Sequence, residues 1–255
     1  MTGGVAVLAG GGALAALRLG LAMTALQLGI GAVNDLVDAP RDAGNKPGKP
    51  IPTGLVSPGA ATFVGLLAFG IGLLLAMASG PLVAGLALVV IGIGLAYDLR
   101  LKGTAWSWLP FAVGIPILPV FGWAGASGGL DPLFAVLVPA AVAGGAALAI
   151  ANSLVDVERD RAAGVSSVAL ALGQGSARAV EVVLLGGIAV AAVVSVAGFG
   201  GSRETALIVG LLASVPVVAT GLARSAEPAR LELAWRAEAI GLGVLAIAWI
   251  AAVVR

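Results

Sequence analysis

Residues 34–42 read Asn-Asp-Leu-Val-Asp-Ala-Pro-Arg-Asp, and residues 152–160 read Asn-Ser-Leu-Val-Asp-Val-Glu-Arg-Asp. The two segments match at Asn34/Asn152, Leu36/Leu154, Val37/Val155, Asp38/Asp156, Arg41/Arg159 and Asp42/Asp160. In each, one Asn and two Asp stand at i, i+4 and i+8. On a helix those positions share one face, roughly 6 Å apart per step. Pro40 is expected to break or bend the first ladder beyond Asp38 and so to offset Asp42. Carboxylates this close repel one another unless a cation neutralises them. With Asp35 beside the first ladder, the ligand set is oxygen only, which suits Mg²⁺ with its shell completed by water and phosphate. The chain has no cysteine and no histidine. That excludes disulfides, Cys/His zinc centres, His-based triads and haem ligation.

Basic residues accompany the acidic ones. Arg41, Lys46 and Lys49 follow the first ladder, Arg159 and Arg161 flank the second, and Lys102 lies between them. Acid-bound Mg²⁺ ringed by Lys and Arg is what a diphosphate requires, the metal bridging its oxygens and the cations balancing the rest. Lys49 and Lys102 are assigned to this site. Arg178, Arg224, Arg230 and Arg236 are read as membrane-surface anchors.

The elements that carry these residues are membrane helices. Of 255 residues, 60% are apolar and 11% charged, against about 25% charged in a soluble domain. A spanning helix needs about 20 mostly apolar residues, which predicts eight spans: 13–33, 60–79, 81–97, 107–126, 132–151, 179–199, 205–222 and 235–254. Residues 1–11 are apolar but too short to span. They read as the tail of a partial first helix or as one overlong helix with 13–33. Prolines 110, 116 and 119 predict a kinked helix. Basic residues concentrate in loops 34–59, 98–106, 152–178 and 223–236, whereas the alternate connections hold only Arg203. The positive-inside rule makes the four charged loops cytoplasmic. Both acidic ladders therefore extend cytoplasmic ends of spans, as two pseudo-repeats facing a central cavity. The formal net charge of +1 argues against a nucleic-acid partner.

At this point the residues resemble the UbiA superfamily of intramembrane aromatic prenyltransferases. Asn34-Asp35-x-x-Asp38-x-x-x-Asp42 is similar to that family's first motif, and Asp156-x-x-x-Asp160-Arg161-x-x-Gly164 to its second. Lys49-Pro50-Ile51-Pro52-Thr53-Gly54 resembles its basic Pro-Ile-Pro-Ser-Gly stretch, and Tyr97-Asp98-Leu99-Arg100-Leu101-Lys102 its Tyr/Lys segment. Ser153 departs from the pattern, standing where many members have a further Asp; this is expected to weaken one metal or phosphate contact. The resemblance implies an all-α fold of nine transmembrane helices, so that residues 1–255 form a single prenyltransferase domain lacking most of the first helix.

The resemblance also implies roles. Asp35, Asp38, Asp42, Asp156 and Asp160 would hold Mg²⁺ on the diphosphate of a polyprenyl donor. Asn34 and Asn152 would orient the diphosphate. Lys49, Lys102, Arg41 and Arg161 would take up charge as the C–O bond breaks, and Tyr97 would help shield the allylic cation. An aromatic or other lipid-precursor acceptor would then attack within the bilayer, at a site opening to the cytoplasm. The Pro-Ile-Pro-Thr-Gly stretch looks more like members acting on homogentisate, chlorophyllide or archaeal glyceryl lipids than menaquinone-pathway members.

Three rivals are weighed. A CDP-alcohol phosphotransferase would need Asp-x-x-Asp-Gly-x-x-Ala-Arg, and Ala39 follows Asp38. A secondary transporter would carry coupling charges near the bilayer midplane, whereas the acidic residues here are expected in loops or near span ends. Arg18, alone well inside a span, is read as snorkelling. A non-catalytic relative of the same family is the third.

Overall fold

Small residues recurring every three or four positions decide how the helices pack. We analysed a computed structural model that describes residues 1–44, 48–221 and 227–254. In chain order the helices are α1 (Thr2–Leu8), α2 (Ala13–Asp42), α3 (Pro58–Met77), α4 (Pro81–Ala96), α5 (Leu109–Ser127), α6 (Phe134–Val155), α7 (Val157–Ala162), α8 (Val168–Leu172), α9 (Gln174–Gly198), α10 (Arg203–Ala219) and α11 (Pro228–Val253). A five-residue π-turn, Tyr97–Leu101, continues α4. No strand occurs among the described residues.

Seven helical segments are long and apolar enough to cross a membrane: Ala13–Asp42, Pro58–Met77, Pro81–Leu101, Leu109–Ser127, Phe134–Ala162, Gln174–Gly198 and Ala229–Val253. The span expected over 205–222 is α10, whose 17 residues reach roughly 26 Å against a hydrocarbon core of about 30 Å. Residues 1–11 do not merge with α2 into one long helix. The chain turns at Gly10, where φ is +80°, a conformation that costs glycine nothing.

The chain packs as two compact units. One comprises residues 2–100 and 121–129, the other Met1 with residues 101–120 and 130–254. In the first, α2 packs against α1, α3 and α4. The buried side of α3 is Ala61, Gly65, Ala68, Gly72 and Ala76, every one small. Its large residues, Phe63, Leu66, Leu67, Leu74 and Met77 among them, are exposed. Lipid tails solvate leucine as well as a protein core does, so close backbone approach rather than side-chain burial holds such helices together. Arg18 does not stand alone: its Nε donates to Ser79 Oγ at 2.9 Å.

In the second unit α6 packs against α9 and α11, and α10 packs against the same two helices. Gly145 of α6 lies so close to α5 that a Cβ there would overlap the Phe111 carbonyl. A small apolar core of Ile150, Leu154, Val157, Val168, Ala169 and Ala177, covered by Trp108, Leu170 and Leu184, ties the end of α6 to α7, α8 and the start of α9. That core anchors the second acidic motif.

Two acidic residues depart from the expectation of loops and span ends. Glu181 stands seven residues after Gln174, the first residue of α9, and Glu238 ten after Pro228, the first of α11, and both are fully enclosed. The one-dimensional pattern hides them because each falls on its helix's buried stripe.

Candidate active site

The first motif is built at the end of α2. Pro40 does not break the helix there: α2 runs through it to Asp42, and the Ala43 N–H still reaches the Ala39 carbonyl. Proline sterically disturbs the preceding turn, but so close to the helix end few bonds remain to be lost. Asp38 and Asp42 consequently share the buried face of α2, with 6% and 3% of their surface exposed. Asn34, one turn earlier, donates from Nδ2 to Asp98 Oδ1 at 2.7 Å. Asp98 lies on the π-turn after α4 and is itself only 4% exposed.

Asp98 is a buried partner of the first motif that the sequence pattern did not single out. The signal was present in the Tyr97–Lys102 segment, but an Asp beside an aromatic at a span end has no pattern of its own. The π-turn supplies the rest, since such turns re-aim side chains out of the helical register and recur at functional sites.

Lys49 completes this cluster. The loop after α2 folds back in tight turns, with Thr53 Oγ1 donating to the Lys49 carbonyl at 2.9 Å and Val56 N–H to the Pro50 carbonyl at 3.1 Å. Ser57 then caps α3 through Ala60 N–H, with Pro58 in the first turn. The turn delivers Lys49 Nζ to Asp35 Oδ1 at 2.5 Å. That hydrogen bond, together with the charges of Asp35, Asp42 and Asp38, lifts the Lys49 ammonium above its ordinary value despite some opposing burial. Asp35 therefore faces Lys49 in this arrangement, while Arg41 is exposed on the same turn. Lys46 lies outside the described residues.

The second motif is shaped differently. The expected continuous ladder Asn152, Asp156, Asp160 is interrupted: α6 ends at Val155, Asp156 adopts φ −98° and ψ 2°, and α7 starts at Val157. Asp160 N–H still reaches the Asp156 carbonyl at 2.8 Å, so the break is a bend rather than a loop. Asp156 accepts from Arg159 Nη1 at 2.6 Å, and Arg161 pairs with Glu158 at 2.6 Å, itself held by Gln174. Lys102 is half-buried just beyond the π-turn, and Tyr97 half-buried within it. Arg230 and Arg236 pair along α11 with Glu227 and Glu232, and Arg224 lies outside the described residues.

Ser153, the departure in the second motif, points inward instead. Its hydroxyl accepts the Ala169 N–H at 3.0 Å, capping α8, whose own N-cap Ser167 makes no such bond. A serine there joins α6 to α8 across the motif.

The donor set can be tested against Mg²⁺. Among the described residues no three carboxylates gather around one metal position. Mg²⁺ rarely uses an all-protein cage, taking one or two carboxylates with waters and substrate phosphates instead. Asp38 and Asp42, on one face with no competing nitrogen or sulfur ligand, fit that mode.

The second unit also has a partly open apolar cavity of about 200 Å³, bounded by Leu137, Gly144 and Leu148 of α6, Ile188 of α9, and Leu242 and Trp249 of α11. Trp249 is fixed by its Nε1 donating to Ser195 Oγ at 2.7 Å.

Known proteins share both sequence and fold with this chain. It is 35% identical over 147 residues to digeranylgeranylglyceryl phosphate synthase of Methanoregula boonei, covering 55% of this chain and 51% of that protein. It is 34% identical over 163 residues to the chloroplastic chlorophyll synthase of Oryza sativa subsp. japonica, covering 57% of this chain and 42% of that protein. The chain thus spans about half the length of the curated relatives it matches. A UbiA homologue from Archaeoglobus fulgidus, solved with GPP and Mg²⁺, superposes with a TM-score of 0.71 at 17% identity, covering 98% of this chain and 94% of that one. The match to the UbiA prenyltransferase family itself extends over residues 1–253. The chain is an integral, multi-pass membrane protein, and it belongs to the UbiA prenyltransferase family.

Proposed function

We propose that residues 1–255 act as one prenyltransferase domain that moves a polyprenyl group from an isoprenoid diphosphate to a lipid-precursor acceptor within the membrane. The observation that carries this reading is the cluster of Asp35, Asp38 and Asp42 with Lys49 at the end of a spanning helix, with the buried Asp98 joined to the same helix through Asn34. Acidic groups buried beside a cation at the rim of an apolar bundle suit a metal-chelated diphosphate whose tail is lipid. The apolar cavity lined by Gly144 and Leu242 suits such a tail. The name of one relative, digeranylgeranylglyceryl phosphate synthase, supports a lipid-precursor acceptor.

In this reading Asp35, Asp38, Asp42, Asp156 and Asp160 would supply the carboxylates for Mg²⁺ at the donor's diphosphate, one or two to each ion. Bound there, Mg²⁺ would neutralise the charge of the leaving diphosphate. Asn34 and Asn152 orient the diphosphate, the former through its bond to Asp98. Lys49, Lys102, Arg41 and Arg161 balance charge as the C–O bond breaks, and fixed charges of this kind commonly supply the largest catalytic contribution. To serve, Arg161 exchanges Glu158 for the diphosphate. Tyr97 offers a π-face to the allylic cation. The surrounding apolar wall keeps water from it. The motif loops face the cytoplasm, so a cysteine placed at Val165 should react with a membrane-impermeant maleimide from that side.

The test is turnover by purified protein in lipid nanodiscs with Mg²⁺, geranylgeranyl diphosphate and a panel of lipid-precursor acceptors, read as diphosphate release and prenylated product. Asp38→Ala and Asp156→Ala should each abolish it, and full activity in either would remove the metal roles assigned here.

A further inference from the structure

Another pair of carboxyls lies outside both motifs, on the seam between α9 and α11. The buried stripe of α9 includes Ala177, Glu181, Leu185, Ile188 and Ser195. Toward one end of the seam Trp249 donates to Ser195. Toward the other, Glu181 and Glu238 are both enclosed where α9 and α11 pack, close enough to act on each other electrostatically. Glu181 is 1% exposed and Glu238 0%. No N–H or O–H among the described residues reaches either oxygen of Glu238 or Oε2 of Glu181. Trp235 Nε1, one turn before Glu238 on α11, is likewise enclosed without an acceptor.

Two ionised carboxylates are acceptors only and cannot bond each other. Inside a span, an uncompensated charge is the most expensive arrangement available, and an ionisable residue there marks a functional site by default. The neighbouring helices do not supply the missing partner. On α9, Arg178 stands one turn before Glu181 and acts on it electrostatically, but donates to none of these oxygens. On α10 no ionisable residue occurs after Glu204. On α6 the nearest polar groups are Asn152 and Ser153, the latter already bonded to Ala169. One proton between the two carboxyls removes a charge and provides the donor.

The position of the pair is informative. Val155 packs against Leu231 and Ala234, and Gly144 faces Leu242. Glu238, between Ala234 and Leu242 on α11, is therefore level with the part of α6 between Gly144 and Val155. Its neighbour Ala239 lines the apolar cavity, and Asp156 follows Val155. The pair sits between the cavity and the second acidic motif.

We propose that Glu181 and Glu238 form a proton-binding site, and that it takes up the proton lost by the acceptor during prenyl transfer. The second clause rests on the function proposed above. The bond from the prenyl C1 to the diphosphate oxygen breaks, its electron pair leaving with diphosphate. An acceptor lone pair forms the new bond to C1. The acceptor's proton passes to the carboxyl pair, which goes from one proton to two and then returns one to water.

Dicyclohexylcarbodiimide, which adds to protonated carboxyls in apolar surroundings, tests the site on the full chain in nanodiscs, with adducts mapped by peptide mass spectrometry. An adduct is expected on Glu181 or Glu238 and absent from the Glu181→Gln/Glu238→Gln double variant. A pair left unmodified while the protein remains folded overturns the proton site. This readout needs no turnover, so its failure is distinct from a failure of the prenyltransferase reading. Glu181→Gln/Glu238→Gln keeps the amide donors but leaves no carboxylate to take up a proton. Its turnover at saturating substrates should fall by about 10²-fold, with the donor KM unchanged. Turnover within twofold of the parent would make the pair a packing contact and overturn its part in the reaction. Should that double variant fail to fold, Glu181→Leu/Glu238→Leu, which removes every polar atom of the pair, carries the same expectation.

Discussion

Asn34 Nδ2 lies 2.7 Å from Asp98 Oδ1, joining the polar end of α2 to the π-turn that follows α4. A residue of the first acidic motif is thus fixed by a residue from a different segment, two helices later in the chain. The bond sets the amide of Asn34 and gives the nearly buried Asp98 carboxylate a donor.

Asp98→Ala should therefore behave as a site mutation although Asp98 belongs to neither ladder. It releases the Asn34 amide, one turn before Asp38 on α2, and removes the buried carboxylate that holds it. Turnover is expected to fall by at least about tenfold, with a stability loss of about 1–3 kcal/mol from the broken buried bond. Steady-state kinetics and thermal unfolding read the two effects separately. Wild-type kinetics in a destabilised Asp98→Ala would confine Asp98 to folding.

The Lys49–Asp35 pair makes a statement about pH. Because the folded-state value of Lys49 is raised from its ordinary 10.5, the ammonium binds its proton more tightly folded than unfolded. The pair's contribution is fully present below about pH 10.5 and is lost as pH rises through the folded value. The melting temperature should show no Lys49-dependent slope between pH 6 and pH 9 and an added decline at the alkaline extreme. Lys49→Met should abolish that decline, and an unaltered alkaline limb would dissolve the pairing. At neutral pH the same variant should lose activity, because the cation serving the diphosphate is gone, while Lys49→Arg retains part of it.

Much of this was legible in one dimension, for a physical reason: runs of about 20 apolar residues have few stable fates besides spanning a bilayer, and seven of the eight predicted spans are long helices. The paired ladders announced the acidic motifs because oxygen ligands at i, i+4 and i+8 have few other uses. Local backbone outcomes were less legible. Pro40 reads as a breaker by type, but its cost depends on how many helical bonds follow it, and here almost none do. Asp156 reads as a continuation of α6, yet the packing of Val157 into the α6–α9 core bends the chain there. Glu181 and Glu238 looked like span-end charges because the apolar runs begin at 179 and 235, whereas α9 and α11 begin earlier, at Gln174 and Pro228.

Ser153 offers a separation of packing from chemistry. Its hydroxyl caps α8 from outside that helix, so Ser153→Ala should cost about 1 kcal/mol of stability. The loosened α7–α8 segment carries Asp160 and Arg161, so the donor KM should rise while Mg²⁺ dependence is retained. Ser153→Thr, which keeps the hydroxyl, should recover most of the loss. A Thr variant no better than Ala would assign the effect to side-chain volume.

The apolar cavity can be tested without touching a polar group. Its lining on α11 runs from Ala239 to Trp249, a rise of roughly 15 Å along a helix. Gly144 faces Leu242 and Ile188 across it, where a Cβ would stand 3.6 and 3.7 Å from them, an ordinary contact distance. A leucine at this position therefore has room at its Cβ and projects its remaining carbons into the void. Filling a void does not by itself destabilise, so Gly144→Leu should melt no lower than the parent, helped by leucine's better helix propensity. A donor tail that needs the same space loses burial there, at roughly 0.8 kcal/mol per CH₂ displaced. Excluding one five-carbon isoprene unit should weaken a long donor by well over about tenfold on that scale. Geranyl diphosphate, whose tail is shorter, should lose less than geranylgeranyl diphosphate. The comparison is the KM ratio of the two donors in Gly144→Leu against the parent. An unchanged ratio in a well-folded variant would take the cavity out of donor binding and leave it a packing void.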